Sequence, residues 1–242
     1  MGRVCKKDGF SSRAGISRNN CYSWALGTVA LVTRGNSYKL QPGDLSTQKP
    51  FDLASCKEVV QRVREDLTVA GGDLVTFKKP CGNDQYKIAL VLAPGVDYHF
   101  LVHHKHVKYE ITTSGETRAS IAKQFGVNPR NVEKRDRYGV GDKVFVSNAN
   151  CWSHKRGTAY APTLLDSDGK IIKDPRRAHL DYGDLNYRVF CATFCVPSRD
   201  KTACSTVKNT AKRGLCVANI SESYRTIRRK IAQVRRRASR WW

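Results

Sequence analysis

Two strand-like runs, His99-Phe100-Leu101-Val102 and Cys151-Trp152-Ser153-His154, bracket a segment whose pattern is complete in itself, and this interruption limits what the chain can fold into. The segment, residues 109–147, opens with a strand at Tyr109-Glu110-Ile111 and a turn at Ser114-Gly115-Glu116-Thr117. A helical run follows at Ala119-Ser120-Ile121-Ala122-Lys123-Gln124-Phe125-Gly126, then Val127-Asn128-Pro129 and a second short helix through Val132. It closes on Gly141-Asp142-Lys143-Val144-Phe145-Val146, so its order is βααβ.

The flanking sequence reads as a second unit. Asn19-Asn20 offers a cap for a short helix that starts at Cys21, because side-chain amide oxygens satisfy the free N–H groups of a first helical turn. Ser55-Cys56-Lys57-Glu58 fits a capping box, and Cys56, Val59, Val60, Val63 and Leu67 recur at helical spacing, which predicts an amphipathic helix over residues 55–67. Gly71-Gly72 ends it. Strands are predicted at 73–77, 86–92 and 97–102, with a turn at Pro94-Gly95, and again at 151–154 and 187–196. The class is α+β: a helix followed by an antiparallel meander, with a loop rich in Asp, Gly and Pro before the last strand.

Charge and cysteines narrow the function classes. The chain of 242 residues carries a net charge of +22, and residues 198–242 hold 13 basic side chains against only Asp200 and Glu222. Such a field attracts phosphates, anionic headgroups or acidic protein faces, and salt weakens it. Within it, Ile220, Tyr224, Ile227, Ile231, Val234, Ala238 and Trp241 fall on one stripe of a helix. Arginines including Arg225, Arg228, Arg229, Arg235 and Arg236 cover the rest, and the run ends in Trp241-Trp242. A basic amphipathic helix of this kind is an attachment device for a protein neighbour, an anionic lipid surface or a nucleic-acid backbone; no base-reading motif accompanies it.

The nine cysteines, at 5, 21, 56, 81, 151, 191, 195, 204 and 216, leave at least one thiol unpaired, and none has the paired spacing of a zinc site. His103, His104 and His106 read as a solvated basic hairpin, not as metal ligands, since His104 and His106 share a strand face that His103 does not. No metal or cofactor is expected. The opening residues lack the apolar stretch of a secretory signal, and no later run approaches the ~20 apolar residues of a membrane span. The expectation is a chain made in the cytosol.

Residues 109–147 resemble a LysM module in the Gly-containing turn, the Ser-Ile-Ala helix followed by Phe-Gly, and the closing Gly-x-x-Val strand. The resemblance implies binding of N-acetylglucosamine polymers such as peptidoglycan or chitin. It points to Ser114, Gly115, Glu116 and Thr117 on one wall of a groove and to Tyr138, Gly139 and Val140 on the other. The asparagine usual after the second helix is replaced by Arg135 and Asp136. Because such a module begins and ends on neighbouring strands, it can sit at a hairpin tip without disturbing the host sheet. The host is then discontinuous, residues 1–108 and 148–197, followed by the basic tail of residues 198–242.

Asn19-Asn20-Cys21-Tyr22-Ser23-Trp24-Ala25, with Asp97-Tyr98-His99-Phe100 and Trp152-Ser153-His154-Lys155 downstream, resembles a bacterial and viral group of uncharacterised proteins similar in layout to papain-like hydrolases of the CHAP type. The resemblance covers roughly residues 15–108 and 148–197. It implies Cys21 as nucleophile, His99 as base, and His154 or Ser153 as the group that orients the imidazole if the hairpin register permits. Amides around Cys21, helped by Asn19 or Asn20, are the expected oxyanion site. Two readings follow. The first is a structural or binding protein of a large assembly, such as a minor capsid component of a virion, with the LysM-like module as a glycan hook and the papain-like scaffold inactive. The alternative is a cell-wall amidase or peptidase that the module directs to its polymer.

Overall fold

The computed structural model describes residue 17 and residues 19–27, 40–44, 46, 52–70 and 72–197. The amphipathic tail, with Arg225, Arg228, Arg229, Arg235, Arg236, Trp241 and Trp242, lies outside these residues, as do Cys5, Cys204 and Cys216. The fold is mixed helix and antiparallel sheet. Among the described residues no helix is long and apolar enough to cross a membrane.

The elements run in chain order as α1 (Cys21–Ala25), α2 (Cys56–Ala70), β1 (Asp73–Val75), β2 (Gln85–Ala93), β3 (Asp97–His104), β4 (Val107–Glu110), α3 (Arg118–Phe125), a 3-10 turn (Pro129–Asn131), β5 (Lys143–Val146), β6 (Cys151–His154) and β7 (Val189–Pro197). Five strands form one antiparallel sheet in the order β1-β7-β2-β3-β6. β2 and β3 make the expected hairpin, turning at Gly95 with φ of +74°. The plain meander is corrected: β7 lies between β1 and β2, pairing Leu74 with Phe194 on one side and Ile88 with Phe194 on the other. Its nine-residue apolar run suits an interior strand, whereas β1 is only three residues long and takes the edge.

The sheet is covered on both faces, which explains why β2 reads as a near-continuous apolar run and not as an alternation. Ile88, Leu90, Leu92, Tyr98, Phe100, Val102 and Phe194 pack beneath α1 and the Val59, Val63 and Leu67 stripe of α2. Ala89, Val91, Leu101 and Trp152 face the other way, against Ile172, Leu180 and Tyr187 from the connection between β6 and β7. Two disulfides tie this connectivity down: Cys56–Cys191 joins the start of α2 to β7, and Cys81–Cys195 joins the β1–β2 loop to the same strand. Gly72 has no room for a side chain, because a Cβ there meets the Cys195 carbonyl oxygen at 2.6 Å.

β3 runs out to His104 and β6 runs back, with Leu101 opposite His154 and His104 opposite Cys151. Between them, β4 and β5 form a separate two-stranded antiparallel sheet with Tyr109 opposite Val144. Thr117 and Ser120 close a reciprocal capping box at the start of α3, and Gly126 ends the helix in the left-handed region. The expected second helix is a single 3-10 turn, because Asn128 and Pro129 start it and Val132 leaves it to bridge Val146. The core of this unit, built on Val107, Tyr109, Ile111, Ile121, Phe125 and Val144, also takes in Cys151 and Leu164 from the flanking chain.

Candidate active site

Cys21 is positioned by three layers of hydrogen bonding. The Asn20 side-chain oxygen accepts from the Ser23 amide at 2.9 Å and from its hydroxyl at 3.0 Å, while its Nδ2 donates to the Leu40 carbonyl at 2.7 Å. Asn20 is therefore the helix cap, and its side chain is committed away from any substrate. Every residue of α1 is buried. Tyr22 donates to the fully buried Asp66 of α2 at 2.8 Å, and Asp66 also accepts from the Gly43 amide at 2.7 Å and the Ser46 hydroxyl at 2.8 Å. This carboxylate fixes α1 against α2, and with it the place of the cysteine.

The thiol of Cys21 donates to the Tyr98 carbonyl of β3, with sulphur and oxygen 3.9 Å apart. That carbonyl lies on the β6 side of the strand. The backbones of Trp152 and His154 bond outward, to Ile172 and Thr163, so Cys151 and Ser153 face His104 and Val102, and Tyr98 and Phe100 are in the same phase as Val102. β6 stops opposite Leu101, and the Tyr98 carbonyl that receives the thiol lies beyond that end, one residue before His99.

His99 and His154 are both buried and their rings meet edge to face. His99 Nε2 lies 2.8 Å from His154 Nδ1, and His154 Nε2 lies 2.8 Å from the Leu165 carbonyl. Chemistry fixes the protons. A carbonyl only accepts, so His154 carries its hydrogen on Nε2; its Nδ1 then accepts the hydrogen of His99 Nε2, and the lone pair of His99 is left on Nδ1. The register thus selects His154 over Ser153, whose hydroxyl meets His104 at 2.6 Å on the other face.

The surroundings keep these groups neutral. Burial pushes the Cys21 thiol up to about 12, reinforced by Asp97, against the pull of the Phe100, Tyr22 and Cys21 amides on a thiolate. Burial lowers His154 to about 4, against its bond to Leu165, and holds His99 well below the usual imidazole range, with His154 and Arg156 acting in the same direction. Tyr187 stacks on His99 at 4.8 Å and donates to Asp97 at 2.8 Å. Tyr182 stacks on His154 at 6.0 Å. No local pattern marked these two tyrosines: they belong to a turn-rich connection, and only the tertiary fold returns them to the histidines.

The residues expected to bind glycan cluster on the small unit. Ile111 exchanges backbone bonds with Gly141 and Asp142, which sets the 112–117 turn beside the 138–142 turn. Ser114, Gly115, Thr117, Gly139 and Val140 are exposed, Val140 by 63%, and Glu116 and Tyr138 are half-buried. Glu116 accepts from Tyr109 at 3.0 Å, and Tyr138 donates to the Glu133 carbonyl at 2.8 Å. Arg135 bonds Glu133 at 2.8 Å and the Lys143 carbonyl at 2.7 Å. The hairpin histidines diverge: His103 packs on Trp152, His104 meets Ser153, and His106 accepts from the Asn148 amide. Among the described residues no three His, Cys, Asp or Glu side chains are grouped to hold a metal ion.

No protein-family model, curated protein or solved structure matches the chain.

Proposed function

We propose that the chain is a cysteine-dependent amidase or peptidase of papain-like type, with Cys21 as nucleophile, His99 as general base and His154 as the residue that orients it. One observation carries this reading: the Leu165–His154–His99 hydrogen-bond line leaves the lone pair of His99 on Nδ1, on the strand against which Cys21 rests. In the proposed reaction the Cys21 sulphur attacks an amide carbonyl while its proton passes to His99 Nδ1. The imidazolium, held through Nε2–H by His154, then returns that proton to the leaving amine. Water hydrolyses the resulting thioester and frees the cysteine. The Cys21, Tyr22 and Phe100 amides favour negative charge at the sulphur, and the proton leaves it only in concert with attack.

The LysM-like unit supports a wall-polymer substrate, since its two exposed turns lie side by side, and the basic tail supports an anionic surface as a further partner. A second reading, a structural component of a large assembly such as a virion with an inactive site, is favoured by the raised thiol and the neutral imidazoles. Cys151 separates the two. It is also a buried free thiol pushed up to about 12 by burial, but its place on β6 is opposite His104, away from the Tyr98 carbonyl that receives the Cys21 thiol. Under the hydrolase reading iodoacetamide at neutral pH modifies Cys21 faster than Cys151, and His99→Ala removes the difference. Equal inertness of the two thiols in the native chain rejects it.

A further inference from the structure

The geometry points to Arg156 as a receptor for a carboxylate group of a peptide substrate bound beside the candidate active site. This rests on the hydrolase reading for its substrate class, but not for its binding chemistry. Arg156 follows His154 by two residues at the end of β6, and its guanidinium packs over two rings, 4.2 Å from the centroid of Tyr160 and 4.5 Å from that of Tyr182. Tyr182 stacks on His154 in turn, with its hydroxyl 3.4 Å from Nε2, so one column of planar groups runs from His154 through Tyr182 and Arg156 to Tyr160.

Two rings packed on a guanidinium restrain it and leave its N–H edge for polar contact. Among the described residues no carboxylate pairs with that edge: the ion pairs of the region join Lys170 to Asp168, Arg176 to Asp174 and His179 to Asp168. Asp166, which also acts on His154, directs Oδ1 to the amides of Asp168 and Lys170. A planar fork restrained in this way, with no carboxylate partner among the described residues, matches a carboxylate in two parallel hydrogen bonds. A neutral amide of the same shape lacks the charge and offers a donor where an acceptor is required. Tyr160 is 53% exposed, which leaves the outer end of the column open to solvent.

The position gives the contact a purpose. Arg156 is among the charges that bear on both His99 and His154. A substrate carboxylate seated on it offsets that charge and makes the base more willing to accept the thiol proton.

The test is a titration followed at the Arg156 Nε–Hε resonance in the full chain at fixed ionic strength. N-acetylglycine supplies the carboxylate probe, and N-acetylglycinamide is its neutral match. We expect a saturable shift with the first and none with the second. Arg156→Lys, read at the Tyr182 ring, is expected to weaken binding about tenfold, because the fork is lost while the charge stays. Tyr160→Leu, an exposed change that leaves folding intact, is expected to weaken it as well. Absence of a shift, equal response to the amide, or undiminished binding by both variants overturns the assignment. Binding needs no turnover, so a chain with an inert Cys21 still reports on Arg156, and either reading fails without the other.

Discussion

Acid should unfold this protein through its buried histidine pair. In the unfolded chain the His154 imidazole takes up a proton near pH 6.5, but in the folded protein burial delays this to about pH 4. Between those values the unfolded state binds a proton that the folded state refuses, so the stability contributed by a neutral His154 is complete above pH 6.5 and is lost as pH falls to 4. At ~1.4 kcal/mol per pH unit the loss is about 3 kcal/mol from this residue, a large part of the ~5–15 kcal/mol that holds a typical domain together. His99, lowered for the same reason, adds to it in the same direction. Urea unfolding measured from pH 7 to pH 4.5 in the native chain and in His154→Gln isolates the contribution, because His103 and the carboxylates are common to both. The native protein should lose stability steeply over this range, and the variant should show a slope shallower by about 1 kcal/mol per pH unit. A flat native profile, or identical slopes, refutes the dry neutral pair.

Asp66→Ala strands the Tyr22 hydroxyl, the Gly43 amide and the Ser46 hydroxyl, and is expected to cost about 2–4 kcal/mol in urea unfolding, whereas a loss below about 0.5 kcal/mol dismisses the carboxylate as the anchor of α1. Retention on chitin or peptidoglycan at high salt, where the +22 charge is screened, should persist in the native chain and fall with Val140→Asp, an exposed change that spares the small unit's core. If salt alone releases the native chain, glycan binding by these turns is rejected.

Local signals in the sequence carried far. The Asn20 cap, the turn at Gly95, the β3–β6 hairpin and α3 each depend on a few neighbouring residues and stand within a residue or two of their predicted places, while the helix predicted over 55–67 runs three residues further, over 56–70. What escaped was non-local. The position of β7 depends on pairing residues more than 100 apart, reflected in disulfide separations of 135 and 114, and no periodicity within a strand encodes its neighbours. The candidate site divides the same way. Cys21, His99 and His154 each stood out by residue type beside a helix start or a strand. The choice of His154 over Ser153 needed the register, which the outward bonds of Trp152 and His154 to Ile172 and Thr163 determine. Tyr182, Tyr187, Arg156 and the Leu165 carbonyl come from a connection whose turns give each residue its own direction.

The seat of β7 between β1 and β2 also governs the moment at which the molecule can take shape during synthesis. Residues 73–93 leave the ribosome with a gap where their shared neighbour belongs, and that gap closes only after residue 197 has emerged. Until then the open flank of β2 is a long apolar edge able to join strands of other nascent chains. A truncation ending before residue 189 should therefore yield insoluble material, however intact its Cys21 and histidines.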